Sequence, residues 1–257
     1  MTPTQTATAL YTIVRKDTVR IVRLWKQTFL PSVITMALYY TVFGTFLGSQ
    51  LSHIGGFTYI QFIVPGLIMM SALTNAYSST SSAFFQAKFM HSIDELLVPP
   101  CPDWVIILGY ALAGVVRGLI VGALVLLTSL FFTHITIYNP WVLILAFLFT
   151  CILFALAGIL NALFANTFDD ISIVPTFVLT PLTYLGGVFY SVHNLPGFWQ
   201  TVSLFNPILY MVNTFRFGFL GISDVSLTLS FGLLFGLTLA FALLLLWLFK
   251  KGIGLKS

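Results

Sequence analysis

Few side chains in this sequence can do chemistry, and their spacing assembles no catalytic set. The four histidines are dispersed, and neither H-E-x-x-H nor G-x-S-x-G occurs, so zinc hydrolysis and a serine nucleophile both lack their residues. No G-x-x-x-x-G-K-[ST] is present to cradle nucleotide phosphates. Of the two cysteines, Cys101 falls beside a loop and Cys151 inside an apolar run, which suits neither a disulfide framework nor a thiolate metal site. Asp169-Asp170 stands at the edge of an apolar run, where an acidic pair serves as a helix cap and dipole partner. What remains is Arg117, a lone cation within an apolar stretch with no carboxylate at its depth.

The elements that must position these groups are read from the charge distribution. Only 7% of residues are charged, and 58% are hydrophobic. Runs such as Phe29–Gly48 and Leu227–Phe249 carry no charge at all. About 20 apolar residues cross a bilayer as a helix, because in hydrocarbon every backbone polar group must be satisfied internally. Six runs reach that length: 29–48, 58–83, 104–131, 140–164, 171–190 and 227–249. The connections between them are short, so residues 1–257 are read as one all-α integral membrane domain. It divides into a cytoplasmic segment 1–28, a six-helix bundle 29–249 and a tail 250–257.

Orientation follows from the cations. With residues 1–28 inside, the inner segments hold nine of the eleven Lys and Arg residues, the exceptions being Arg117 and Arg216. The opposite orientation would translocate nearly all of them, against the positive-inside rule. Both termini are therefore expected in the cytoplasm. These cations flank spans and form no aromatic-interleaved patch, which argues against nucleic acid as a partner.

Within this frame several segments carry a further signal. Residues 8–28 predict a helix on the membrane surface, with Leu10, Val14, Ile21, Leu24 and Trp25 on one side and Arg15, Lys16, Arg23 and Lys26 opposite. It serves either as a lipid anchor or as a contact for a cytoplasmic partner. The second span ends in a polar run from Ser71 to Ser82, suited to close helix packing or to a wet pathway. The third holds Gly114-x-x-x-Gly118-x-x-x-Gly122, a ridge for tight helix contact. Arg117 lies about 20 Å along this helix from Trp104, at a depth where Ser71 is its candidate partner. Its role is structural or functional on this reading. Pro175 and Pro181 interrupt the fifth span, and the stretch from Leu195 to Arg216 reads as short helices dipping into the outer leaflet.

Residues 84–103 form the one sizeable inner loop, mixing Lys88, His91, Asp94 and Glu95 with apolar anchors before Pro99-Pro100. Its segment Ile93-Asp-Glu-Leu-Leu-Val-Pro-Pro100 resembles the acidic-Leu-Leu-x-x-Pro loop of type-2 ABC exporter permeases. Two more stretches are similar to the same family: Pro181-Leu-Thr-Tyr-Leu-Gly-Gly-Val-Phe-Tyr190, and Leu195-Pro196 through Asn206-Pro-Ile-Leu-Tyr210 to Arg216. Gly186 replaces the family's commoner serine.

The resemblance implies a non-catalytic permease in a bacterial inner membrane, paired with a second copy as a homodimer. Each copy would dock a separate ABC ATPase subunit, and ATP and magnesium would bind there. Lys88, His91, Asp94 and Glu95 would form the coupling helix seated in that ATPase. With the second and fifth spans facing the dimer axis, Asn75, Tyr77, Ser78, Thr176, Thr180 and Tyr184 would lie near the substrate pathway. Polysaccharide, lipid and amphiphilic drug all fit the aromatic content as substrates. An ion-coupled carrier or channel is the competing expectation, and it would call for deep carboxylates or an internal repeat that the sequence lacks. A membrane scaffold subunit without a pathway is the other.

Overall fold

Asn-Pro pairs open two helices of this chain by one device. The Asn139 side chain accepts from the amides of Trp141 (3.1 Å) and Val142 (3.3 Å), while Pro140 occupies the first helical turn. Asn206 does the same for Ile208 (3.0 Å), followed by Pro207. The cap satisfies amides that have no partner within the helix, and proline has no N–H to leave unpaired. At the chain start Thr2 and Gln5 cap each other reciprocally, and Gln61 reaches back to the Thr58 amide (3.1 Å).

The computed structural model describes residues 2–48, 54–93 and 101–255. Regular structure among them is helical, apart from an isolated bridge between Ile54 and Phe57. The helices are α1 (Pro3–Arg23), α2 (Trp25–Thr28), α3 (Leu30–Tyr39), α4 (Tyr59–Phe89), α5 (Asp103–Ser129), α6 (Pro140–Phe164), α7 (Asp170–Val174), α8 (Thr180–Tyr184), α9 (Gly197–Leu204), α10 (Pro207–Leu220) and α11 (Leu227–Lys251). Of these, α4, α5, α6 and α11 are each long and apolar enough to cross a membrane. The expected crossing 29–48 is helical from Leu30 to Leu47 and the expected crossing 171–190 only as far as Tyr184, and each is interrupted. Helix α3 runs on as a π-helical stretch Tyr40–Leu47, and a second one, Pro175–Leu179, separates α7 from α8.

The second π-helical stretch has a direct cause. Pro175 has no amide, so the carbonyl of Ile171 loses its helical partner. Asn161 of α6 donates its side-chain amide to that carbonyl at 3.2 Å. The Pro175 carbonyl in turn accepts from the Thr180 amide and from its hydroxyl (2.9 Å). Backbone groups freed by proline are thus paired again, as a membrane interior requires.

Helix α4 is the hub, packed on α5, α6 and α10. The predicted glycine ridge is where α5 comes closest. A Cβ at Gly114 would collide with the Thr80 hydroxyl, and one at Gly118 would stand 2.9 Å from the Cys151 sulfur and 3.1 Å from the Ala72 carbonyl. Ser79, Thr80 and Ser81 are buried there, with Thr80 bonded to the Ala76 carbonyl at 3.0 Å. That part of the polar run packs between helices. Helix α11 is the opposite case, with Leu229, Phe235, Leu239, Leu243 and Trp247 all exposed.

The expected apolar side of the surface helix is in part turned to the bundle, with Ile21 buried and Leu10 and Val14 half-buried. Ile13, Asp17 and Ile21 form the buried stripe of α1 against α5, where Gly109 leaves room for Ile13. Leu24 and Trp25 are exposed where α1 stops at Arg23 and the chain turns before α2. Tertiary contact with a neighbouring helix sets the register here.

Candidate functional site

The inner-loop residues meet several chain segments at one end of the bundle. Lys88 is buried, and its ammonium group donates to the carbonyls of Leu163 (2.8 Å) and Ala165 (3.1 Å) at the C-terminus of α6. A cation there also opposes the negative end of the helix dipole. Gly254 of the C-terminal tail lies against Leu163, and Leu255 is buried nearby. Arg20 of α1 reaches Gln86 of α4 at 2.6 Å. The α1 helix, the start of the inner loop and the tail therefore share one end.

His91 follows α4 in the left-handed region (φ 56°) and is exposed, and Ile93 then returns to the core. Asp94 and Glu95, the acidic half of the expected coupling helix, lie outside the described residues. Beside this segment a cavity of about 160 Å³ is lined by Lys16, Asp17, Arg20, Gln86, Ser92 and Tyr110, among others. Asp17 is only 3% exposed, and its carboxylate lies 3.5 Å from Arg20. Burial pushes the Asp17 carboxyl above the usual carboxylate range, and Arg20 and Lys16 only partly offset this.

The expected pathway residues divide into two groups. Thr176, Thr180 and Tyr184 sit at i, i+4 and i+8 on an exposed face of the broken fifth span, whereas Leu179 and Thr183 point into the protein. The Tyr184 hydroxyl is 3.1 Å from that of Tyr39, and its ring stacks on Phe189 at 5.6 Å. Phe43 completes a four-ring cluster with Phe189 (4.9 Å) and Tyr39 (5.7 Å). The second group belongs to α4 and is mostly buried. Asn75 donates to Ser32 (3.1 Å) and to the Ser71 carbonyl (3.0 Å), tying α4 to α3. Tyr77 is buried on another side of α4, and Ser78 is half-buried.

Arg117 is half-buried, and its Nε finds no hydrogen-bond partner among the described residues. Neither does the buried Ser71 hydroxyl, so the expected bond between them is not formed. Of the acidic pair, Asp169 makes no side-chain bond to the start of α7, and Asp170 bonds back to the turn before it. It accepts from the amides of Asn166 and Thr167, both at 2.9 Å, which hold its carboxyl below the usual range.

Sequence reasoning passed over what Arg216 does. It is 2% exposed, lies 3.9 Å from the Phe62 ring centroid and donates to the Gly187 carbonyl. Its counter-charge is Asp224 at 3.9 Å, which also accepts from the Ser191 hydroxyl (2.9 Å) and the Val192 amide (3.2 Å). Asn206 adds a bond of 2.6 Å to the Leu182 carbonyl. These two motif residues clasp α10 to the end of the fifth span. The available signal was an arginine in an apolar run with a single aspartate eight residues on. No cluster of three or more metal-ligating side chains occurs among the described residues.

Comparison with known proteins identifies the family. Residues 8–220 match the ABC-2 type transporter family. The chain is 55% identical over 250 residues to the inner membrane transport permease YadH of Escherichia coli K12, covering 97% of both chains. It is 26% identical over 209 residues to nodulation protein J of Rhizobium leguminosarum bv. trifolii, covering 75% of each. It is also 25% identical over 159 residues to the probable multidrug ABC transporter permease YbhR of Escherichia coli K12, covering 60% of this chain and 42% of that one. The chain belongs to the ABC-2 type transporter family.

Proposed function

We propose that this inner-membrane permease subunit exports its substrate as a homodimer, each copy docking one ABC ATPase that binds ATP and magnesium. Six crossings with both termini in the cytoplasm are part of this reading, with α3 plus its π-helical extension and α7–α8 as the interrupted first and fifth. Closure of the two ATPases on ATP pushes α1 and the 84–103 loop, and the bundle moves toward an outward-open arrangement. The motion requires two packings of similar energy, biased by contact with the nucleotide-bound partner. Lys88 joins this route by fastening the loop to the end of α6, while His91, Asp94 and Glu95 face the ATPase. Thr176, Thr180 and Tyr184 line the pathway on the dimer side, with Asn75, Tyr77 and Ser78 behind them. The substrate is a polysaccharide, lipid or amphiphilic drug, for which the aromatic cluster around Tyr184 supplies stacking faces.

The observation that carries the reading is the gathering of α1, the loop and the tail at one end, in a chain of this family. A push delivered there reaches the first, second and fourth crossings together. The test is co-expression with the ABC ATPase and measurement of ATP hydrolysis and transport in vesicles. The complex is expected to co-purify, and Asp94→Lys with Glu95→Lys should uncouple hydrolysis from transport. Transport that persists without the ATPase and collapses with the ion gradient would select a carrier instead.

A further inference from the structure

Behind the broken fifth span lies a cavity of about 410 Å³ with an almost wholly apolar wall. Close-packed interiors leave few voids larger than a water molecule, so a space of this size is built for an occupant. Its longest wall is one stripe of α6, Leu153, Phe154, Ala157, Leu160, Asn161 and Phe164. Val178 and Leu179 of the fifth span, Met211 of α10, and Leu237 and Phe241 of α11 close the other sides. Leu153, Ile208 and Met211 are buried at the back, whereas Val178 and Phe164 are exposed at the rim. The cavity therefore opens sideways, beside the exposed face of α11.

Three observations identify the occupant. The α6 stripe runs about 16 Å from the Phe164 end inward, and one leaflet of hydrocarbon is about 15 Å deep, half of the core. Water is a poor filler, since it needs two or more polar partners. Tyr77 and Asn161 alone of the lining residues are polar. Asn161 donates to Ser81 and Ile171, and the Tyr77 hydroxyl, unpartnered among the described residues, offers a place for one water at most, which leaves the rest of the space apolar. Finally, Lys250 and Lys251 are exposed where α11 ends, at the same end as Phe164, placing cations at headgroup level.

We propose that this cavity holds an acyl chain of a bilayer phospholipid from the leaflet at the Phe164 end. The chain enters between the fifth span and α11 and braces Val174, Val178, Leu179 and Leu182 from behind. This rests on the chain being embedded in a membrane and needs neither the direction of transport nor the ATPase.

The test uses the full-length permease in vesicles of phosphatidylethanolamine and phosphatidylglycerol doped with a phospholipid carrying a diazirine on one acyl chain. After irradiation, mass spectrometry maps the labelled peptides. Phe154, Leu179 and Met211 should be labelled several-fold above Phe235 and Leu243, which face ordinary lipid. Ala157→Phe fills the cavity and should abolish the first set while leaving the second unchanged. Leu160→Trp provides the same reading if that variant fails to fold. Cavity labelling no higher than the surface, or unaltered in a folded filling variant, overturns the proposal. So does labelling there by a photoreactive detergent but not by the phospholipid.

Discussion

The α4–α5–α6 packing and the fifth span solve the same problem, satisfying a helix in hydrocarbon, in opposite ways. In the first region small residues let backbones approach, and α4 stays one continuous helix even through Pro65. In the second, Pro175 breaks the ladder, and side chains from neighbouring helices pair with the carbonyls. A tight ridge has one good arrangement, since a shift of either helix brings backbone onto backbone. A handful of discrete bonds from Asn161, Asn206 and Arg216 can break and re-form. The difference teaches where the proposed motion costs least: bonds of this kind let the fifth span shift against a hub whose ridge does not allow it.

The largest expected effect tests the clasp. Arg216→Met leaves the Asp224 carboxylate without its cation, at a cost of about 3 kcal/mol, the lower end for breaking a buried pair because Asp224 keeps some exposure. Hydrogen exchange should speed up in 186–192 and 207–220, with α5 unchanged. Uniform acceleration throughout would erase the distinction between the two regions. Next comes the ridge: Gly118→Leu forces a side chain against Cys151 and the Ala72 carbonyl and costs about 1–3 kcal/mol by overpacking. Here melting of the whole protein in detergent should drop as one transition. A loss confined to a local segment would count against α4–α5–α6 as a single unit.

The smallest effect lies at the α1 seam, outside both regions. Because the Asp17 carboxyl is raised by burial, the folded state binds more protons than the unfolded one above the ordinary carboxylate range. Stability should therefore fall as pH rises from that range through the raised value, and be unaffected below both. Asp17→Asn should remove this slope in melting curves without altering exchange in α5 or α8. A wild-type stability that rises across the same window would refute the sign.

Much of the bundle was legible because lipid imposes a strict demand on composition. Long apolar runs marked α4, α5, α6 and α11, the glycine spacing marked the contact ridge, and Pro175 marked the interruption. The direction in which each polar residue points was not legible. Asn75 and Thr176 looked alike as pathway candidates, yet one is tied to Ser32 and the other is exposed. Lys88 read as a loop cation and is instead the cap of a helix 75 residues away. In the site, the family resemblance pointed to Thr176, Thr180 and Tyr184, which share an exposed stripe, while the Tyr39 and Phe189 rings beside it come from distant segments.

The amino-acid order alone determined which stretches are apolar enough for hydrocarbon, which segments carry the cations, and that the pattern G-x-x-x-x-G-K-[ST] does not occur. Those properties depend on neighbours along the chain, where transfer free energy adds residue by residue. Tertiary structure alone decided the partners of Arg216, Lys88 and Asn161, and the cavity behind the fifth span. Each of these joins groups far apart in sequence, and only packing determines which distant carbonyl or carboxylate comes within reach.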